Sequence, residues 1–318
     1  MGPRRCVLHI GICKTGTTSI QYGLASSRAL LAQAGVVVPR TLGPTHNHRH
    51  LTLLAVDANS EAAEREWEVL RRRDPGLAAC ATLEQARQWV ERALAAELAT
   101  VGPEPWVVFS SEQLSQRLLR DSEVWRLRDA LERLGFGTVR VVIYLREQVG
   151  LALSWDSMEV LAGHRSTPFQ EPTEQFNHQQ LLERWERVWG RDALLVRTYA
   201  RGCLDQGDIV RDFETHALPL PPEQPWLAEQ PWRNARLGRR SLWLQRQANR
   251  WLPRLLPAEA VDPWRMRLLQ ATQARWIGGR PAQASPQQIA RWRSRYAASN
   301  RWVDAHYGAQ LEASFGST

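Results

Sequence analysis

The chain has 318 residues, and 43% of them are hydrophobic, so it can bury a sizeable core and global disorder is excluded. No apolar run reaches the ~20 residues of a membrane span, and the basic N-terminus meets Lys14 too early for a secretory leader. The four scattered cysteines give neither paired metal spacing nor a dense disulfide framework. We therefore expect a reduced, cytoplasmic protein.

The net charge of +8 is unevenly distributed along the chain. Residues 231–302 contain fifteen arginines and two acids, a net charge of +13, so the rest of the chain carries −5. This favours an anionic partner near the C-terminal third and leaves contact with a membrane surface open. The alternative is a set of solvated helical faces in an arginine-rich proteome, which explains most of these arginines.

The first half of the chain predicts strands alternating with helices. We expect strands at 5–11, 36–39, 106–110 and 138–145, and helices at 17–34, 82–99 and 122–134. Thr18 and Gln21 have the spacing of a capping box, as do Thr82 and Gln85. Gly35 is placed to end the first helix.

The second half of the chain continues the alternation of helices and strands and then becomes helical. We expect helices at 148–162 and 176–189 and a fifth strand at 193–198, followed by a connection at 217–232 that holds five prolines. The remainder is helical, with one apolar stripe formed by Leu237, Leu244, Ala248, Trp251 and Leu255. The alternation predicts an α/β fold: a mainly parallel five-stranded sheet with helices on both faces, plus a helical C-terminal extension. We divide it into a core at 1–216 and an Arg/Trp-rich region at 217–318, packed together as one domain.

The loop after the first predicted strand has the features of an anion site. A Gly-rich approach to a helix N-terminus points backbone N–H groups at a ligand. Lys14, in this loop, is the only lysine among 41 basic residues. A site that needs a compact point charge resists replacement by arginine, although one position can also escape an arginine bias by chance. The loop is not a Walker A motif, because Lys14 precedes Gly16.

The end of the fourth predicted strand also argues against an ATPase. A Walker B strand ends in an aspartate that holds Mg²⁺, whereas this strand is followed by Arg146. A cation there repels a metal ion and attracts a second phosphate. The two features together predict a nucleotide with phosphates at two separate places and no metal.

These two motifs resemble those of the sulfotransferase family. The run Lys14-Thr15-Gly16-Thr17-Thr18, after a His-Ile-Gly strand, resembles that family's 5′-phosphosulfate loop. Arg146, followed eight residues later by Ser154, resembles its 3′-phosphate motif. The resemblance runs from about residue 5 to 200, and Arg233-Asn234 with Ser241, and Ser299-Asn300, look like bacterial members.

The resemblance implies a P-loop-like fold and an enzyme that uses 3′-phosphoadenosine-5′-phosphosulfate (PAPS). The product nucleotide is then 3′,5′-diphosphoadenosine (PAP), no metal is required, and the acceptor supplies a hydroxyl or an amine. The acceptor itself stays open between a polysaccharide, a glycolipid and a small natural product, and tryptophan faces suit a sugar as well as a core. The oligomeric state also stays open.

Each motif residue takes an expected role from this resemblance. Lys14 stabilises the leaving oxygen, and Arg146 pairs with the 3′-phosphate together with Ser154. Tyr199 is similar to an adenine-side residue of the family or is ordinary core. The 5′-phosphate lies on the loop backbone, formed by Thr15, Gly16, Thr17, Thr18 and Ser19. The plain alternatives are a surface salt bridge for Arg146 and a solvent-facing hydroxyl for Ser154.

Two residues compete for the role of general base. Glu112 follows the third strand, where families of this type place a catalytic His or Glu, and a carboxylate there can accept the acceptor's proton. It can equally be a residue of a helix first turn that the dipole favours. His48, in the histidine-rich stretch 46–50, has an acceptor-binding, supporting or structural role, and no further ligand makes this stretch a metal site.

Two other functions remain as alternatives. One is a P-loop-type nucleotide kinase or phosphotransferase, which Mg²⁺-dependent ATP binding would support. The other is a protein that binds nucleic acid or an anionic surface through its Arg/Trp-rich region, although we expect no nucleic-acid partner. If that region forms a lid, its arginines contact the donor or the acceptor, and the first candidates are Arg233, Arg236, Arg239 and Arg240.

Overall fold

The structure is a computed structural model that describes residues 3–42, 46–101, 105–164, 174–221, 224–228, 238–272, 279–280 and 283–315. Within these residues the secondary structure follows the predicted alternation closely. The strands are β1 (Arg4–His9), β2 (Val36–Val37), β3 (Trp106–Ser110), β4 (Phe136–Leu145) and β5 (Leu194–Thr198). Among the described residues, no helix combines the length and the apolar character needed to cross a bilayer.

The helices fill the intervals between the strands and the C-terminal region. They are α1 (Thr17–Ser26), α2 (Arg28–Gln33), α3 (Glu61–Arg71), α4 (Pro75–Ala78), α5 (Leu83–Ala99), α6 (Gln113–Arg117), α7 (Asp121–Arg133), α8 (Gln148–Leu161), α9 (His178–Trp189), α10 (Ile209–Ala217), α11 (Arg239–Leu255), α12 (Ala258–Thr272) and α13 (Pro286–Tyr307). Short 3₁₀ turns lie at Arg49–Leu54, Glu174–Phe176, Arg191–Ala193, Arg201–Cys203 and Asp205–Gly207.

The five strands form one all-parallel sheet in the order β2-β3-β1-β4-β5. The predicted α/β class is confirmed. On one face, Val7, Val108 and Val142 pack in a core with residues of α1, α2 and α10. The alternate residues Leu8 and Phe109 are also fully buried, so both faces of the sheet are covered.

The first predicted helix begins and ends close to the expected residues, but it is interrupted, and its predicted cap is wrong. It is two helices, α1 and α2, separated at Ser27, whose hydroxyl accepts the Ala228 N–H at 2.9 Å. Thr18 forms no capping box, because the helix begins at Thr17 after a left-handed Gly16. By contrast, Thr82 caps α5 as predicted, with its hydroxyl accepting the Gln85 N–H at 3.2 Å.

The chain divides into two compact units. The first comprises residues 1–146, 178–231 and 302–318 and contains the sheet. The second comprises residues 147–177 and 232–301 and contains α8, α11 and α12. The organisation into segments 1–216 and 217–318 stays a prediction.

The predicted apolar stripe of the C-terminal helices is wrong within the described residues. Trp251 and Leu255 of α11 are exposed, and of the predicted set Ala248 is buried while Leu237 lies outside the described residues. The buried face of α11 is instead Ser241, Leu242, Gln245, Ala248 and Asn249. Polar side chains, rather than apolar periodicity alone, therefore determine which side of α11 is buried.

Candidate functional site

The sheet topology defines where a ligand site belongs. β1 and β4 are neighbours, but the connection after β1 leads towards β2 and the connection after β4 leads towards β5. In an open parallel sheet, the crevice between two such diverging loops at the carboxyl ends of the strands is the usual ligand site. The loop with Lys14 follows β1, and Arg146 directly follows β4.

The loop between β1 and α1 offers main-chain donors. Lys14 and Gly16 both have left-handed backbones, with φ of +63° and +76°, and interleaved left-handed residues turn N–H groups to one side. Among the described residues, none accepts a hydrogen bond from the N–H groups of residues 14–18. The Thr15 hydroxyl donates to the Ile12 carbonyl at 2.6 Å, which fixes the loop from within. The result is a cluster of backbone donors at a helix N-terminus.

Gly16 is required by its neighbours as well as by its φ. A Cβ at this position would lie 2.9 Å from Cγ2 of Ile209 and 3.2 Å from Cε2 of Tyr199. The loop can therefore pack against α10 and Tyr199 only because residue 16 has no side chain. This contact places Tyr199 beside the start of α1.

Arg146 is buried next to the same loop. Its side chain is only 7% exposed, and its Nη1 donates to the Lys14 carbonyl at 3.1 Å. Its guanidinium carbon lies 5.7 Å from the centroid of the Tyr199 ring. His178 Nε2 donates to the Arg146 carbonyl at 2.8 Å and holds the backbone in place. The surface salt bridge considered for Arg146 is excluded by this burial.

Two cations are therefore close together and partly removed from water. Burial lowers the pKa of the Lys14 ammonium. Arg146 lowers the pKa further, and Glu112 acts in the opposite direction. Burial also raises the pKa of the Cys13 thiol to about 12, so this neighbour carries no charge at neutral pH. A bound anion would relieve the mutual repulsion of Lys14 and Arg146.

Glu112 lies against the opening of the loop. A Cβ on Gly11 would lie 2.9 Å from the Glu112 Cβ, so the two backbones approach closely. The Glu112 Oε2 accepts hydrogen bonds from Gln21 Nε2 at 2.8 Å and Asn47 Nδ2 at 3.0 Å. No described residue donates to its other oxygen, Oε1. The carboxylate is thus oriented through one oxygen while the other stays available.

His48 has the contacts of a supporting residue. Its Nδ1 accepts the Ser110 N–H at 2.9 Å, and its Nε2 donates to the Pro39 carbonyl at 3.0 Å. Burial lowers its pKa to about 4, so the ring is neutral with its proton on Nε2. Because both nitrogens bind main-chain groups, proton transfer by His48 would require one of these bonds to break. The supporting role is favoured, and it fixes the adjacent Asn47.

Not every predicted site residue is brought to this loop. Ser154 on α8, and Arg239 and Arg240 at the start of α11, belong to the second unit, and their roles stay predictions. Arg233 and Arg236 lie outside the described residues.

Three residues contribute to the site without a signal in the sequence for that role. The sequence predicts a capping residue at Gln21 and a histidine-rich stretch around Asn47, whereas both side chains hold Glu112. His178 gave no signal, because its partner is 32 residues away in the chain.

The chain was compared with known proteins. No family model matches it, and no curated protein matches it. Among solved structures it is similar to a sulfotransferase from Alicyclobacillus acidocaldarius, with a TM-score of 0.44 and 12% sequence identity over 96% of this chain and 97% of that one. A likeness at this level assigns no function, so the assignment rests on the residues of the site.

Proposed function

We propose that this protein is a sulfotransferase that moves a sulfonate group from PAPS to a hydroxyl or amine of an acceptor. The observation that carries the proposal is the Lys14–Arg146 pair, in which one buried cation contacts the backbone of the other beside a row of N–H donors. Two cations at the carboxyl ends of adjacent strands suit a nucleotide with two separate phosphate groups.

In the proposed reaction, the acceptor oxygen or nitrogen forms a bond to sulfur as the bond from sulfur to the bridging oxygen breaks. The electron pair of the broken bond stays on the 5′-phosphate of PAP, where the Lys14 ammonium and the loop N–H groups stabilise the charge. The proton of the acceptor moves to Oε1 of Glu112. Gln21 and Asn47 hold the other oxygen and so orient this base.

The nucleotide site is tested by titration calorimetry of PAP with EDTA present. Arg146→Ala should weaken PAP about ten- to a hundredfold, the range of a hydrogen-bonded charge, while the matched control Arg140→Ala, at an exposed position of β4, should not. Adenosine 5′-monophosphate lacks the 3′-phosphate, so Arg146→Ala should barely change its affinity. An equal loss for both nucleotides would contradict the assigned contact. Preference for Mg-ATP over PAP would replace the proposal with the kinase.

The chemical step is tested separately with Glu112→Gln and Lys14→Ala. Both should lower kcat about a hundredfold or more in PAPS-dependent turnover. Glu112→Gln should leave PAP affinity unchanged, because its carboxylate faces the acceptor in this assignment. Full activity of Glu112→Gln would remove Glu112 as the base while leaving the nucleotide site intact.

A further inference from the structure

Helix α11 of the second unit is anchored through polar residues. Ser241, Gln245 and Asn249 follow one another at intervals of four and are all buried. The Ser241 hydroxyl donates to the Thr272 carbonyl at 2.6 Å, and Gln245 Nε2 donates to the Arg265 carbonyl at 3.2 Å. Asn249 Nδ2 donates to the Val160 and His164 carbonyls at 2.8 and 2.9 Å. These bonds fix the rotation of α11 about its axis.

This rotation turns the large apolar residues of α11 outward. Trp243 is 59% exposed, Trp251 46% and Leu255 73%. Residues 243, 247, 251 and 255 follow at intervals of four, so they share one side of the helix. Helix α11 therefore buries three polar residues beside Leu242 and Ala248, and it exposes Trp243, Trp251 and Leu255.

Arginines flank the same exposed face. Helix α11 contains five arginines and no acid, and one of the five, Arg246, pairs with Asp156. Arg250 and Arg254 both lie over the Trp251 ring, at 5.1 and 5.2 Å from its centroid. Among the described residues, neither arginine has an acidic partner. Stacked on an exposed indole, they carry positive charge at the level of the apolar side chains.

Helix α12, which packs beside α11 in the same unit, shows the same combination. Trp264 and Met266 are exposed, and Arg267 lies over the Trp264 ring at 5.4 Å from its centroid. Each of the two helices thus presents an exposed tryptophan with arginine over its ring.

We propose that α11 and α12 form an interfacial surface that binds the headgroup region of an anionic phospholipid bilayer. Arginine beside tryptophan and leucine is the composition of helices that lie in the plane of a membrane interface. Arginines are attracted by anionic headgroups, and indole rings favour the interface itself. A nucleic acid or polysaccharide would match the arginines and tryptophans, but it would leave Leu255 without an apolar partner. This proposal is independent of the sulfotransferase activity.

The test is flotation of the full-length protein with vesicles of phosphatidylcholine alone or mixed with phosphatidylglycerol. We expect binding to the mixed vesicles only, and weaker binding as salt is raised. The double variant Arg250→Gln/Arg254→Gln should lower the partition coefficient about fivefold for each arginine removed. Leu255→Ser should lower it about tenfold, since the side chain leaves water on binding.

Matched control variants distinguish vesicle binding by this surface from non-specific binding of the protein to vesicles. Trp125→Ala removes an exposed tryptophan of α7, and Arg65→Gln/Arg72→Gln removes two exposed arginines, one in α3 and one at its C-cap. Neither should change vesicle binding, and all variants should keep the wild-type Tm because the side chains are exposed. Equal losses in the controls, or no binding to anionic vesicles, would overturn the proposal. Binding of RNA or a sulfated polysaccharide through Arg250 and Arg254 without vesicle binding would replace it with a polyanion site.

Discussion

Replacing Gly16 by alanine tests the packing of the phosphate-binding loop most directly. Two effects act on the new Cβ. The backbone at residue 16 has a φ of +76°, which costs a residue with a side chain about 1–2 kcal/mol. The Cβ would also lie 2.9 Å from Cγ2 of Ile209 and 3.2 Å from Cε2 of Tyr199. Neither neighbour can withdraw without disturbing the core, and such overpacking costs about 1–3 kcal/mol.

Gly35 provides a control for the cost of the positive φ alone. Its φ is +77°, and a Cβ there would meet nothing within 4 Å. Gly35→Ala should therefore lower the free energy of unfolding by about 1–2 kcal/mol, and Gly16→Ala by about 2–5 kcal/mol. The difference between the two variants measures the steric contact with Ile209 and Tyr199.

Urea denaturation followed by circular dichroism measures both free energies of unfolding at fixed m-value. Measured against the Ile209→Ala single variant, Gly16→Ala should be less destabilising than in the wild type, because alanine at 209 lacks the Cγ2 and Cγ1 atoms that the new Cβ would crowd. If Gly16→Ala is no more destabilising than Gly35→Ala, the loop does not pack against α10 and Tyr199 as described.

Three further predictions concern stability and turnover. Burial lowers the pKa of His48 and of His178 from 6.5 to about 4. The unfolded chain therefore binds more protons below pH 6.5, and the free energy of unfolding should fall by roughly 3 kcal/mol for each histidine between pH 6.5 and 4; a flat urea midpoint over this range would contradict their burial. Lys14→Arg should lower kcat about a hundredfold, because a planar guanidinium cannot replace a compact ammonium at the leaving oxygen, and wild-type turnover would show that position 14 needs only a positive charge. Asp212→Asn should lower the free energy of unfolding by about 3–5 kcal/mol in urea denaturation, since it breaks the buried ion pair with Arg197, and a loss below 1 kcal/mol would mean that the pair is dispensable.

Local signals in the sequence determined most of the elements. β3 begins at Trp106 and ends at Ser110 as its apolar run predicts, and α5 begins after Thr82, whose hydroxyl caps it. Such features depend on residues a few positions apart, which a single sequence displays directly. The break at Ser27 was invisible, because its partner Ala228 is 201 residues away.

In the candidate site, likewise, the sequence identified the residues, and the fold determined which of them are close together. The sequence named Lys14, Arg146 and Glu112 because each follows a strand, and the carboxyl ends of parallel strands share one edge of the sheet. Only the order β2-β3-β1-β4-β5 decided that β1 and β4 are neighbours, which brings Arg146 within 3.1 Å of the Lys14 carbonyl.

The rotation of α11 shows the limit of periodicity. The apolar spacing in the sequence predicted that Trp251 and Leu255 face inward, yet both are exposed. Hydrogen bonds from Ser241, Gln245 and Asn249 to carbonyls of other segments determine the rotation instead. The sequence by itself determined the elements and the residues at the strand ends. Tertiary structure decided which of them meet, because those contacts depend on partners far away in the chain.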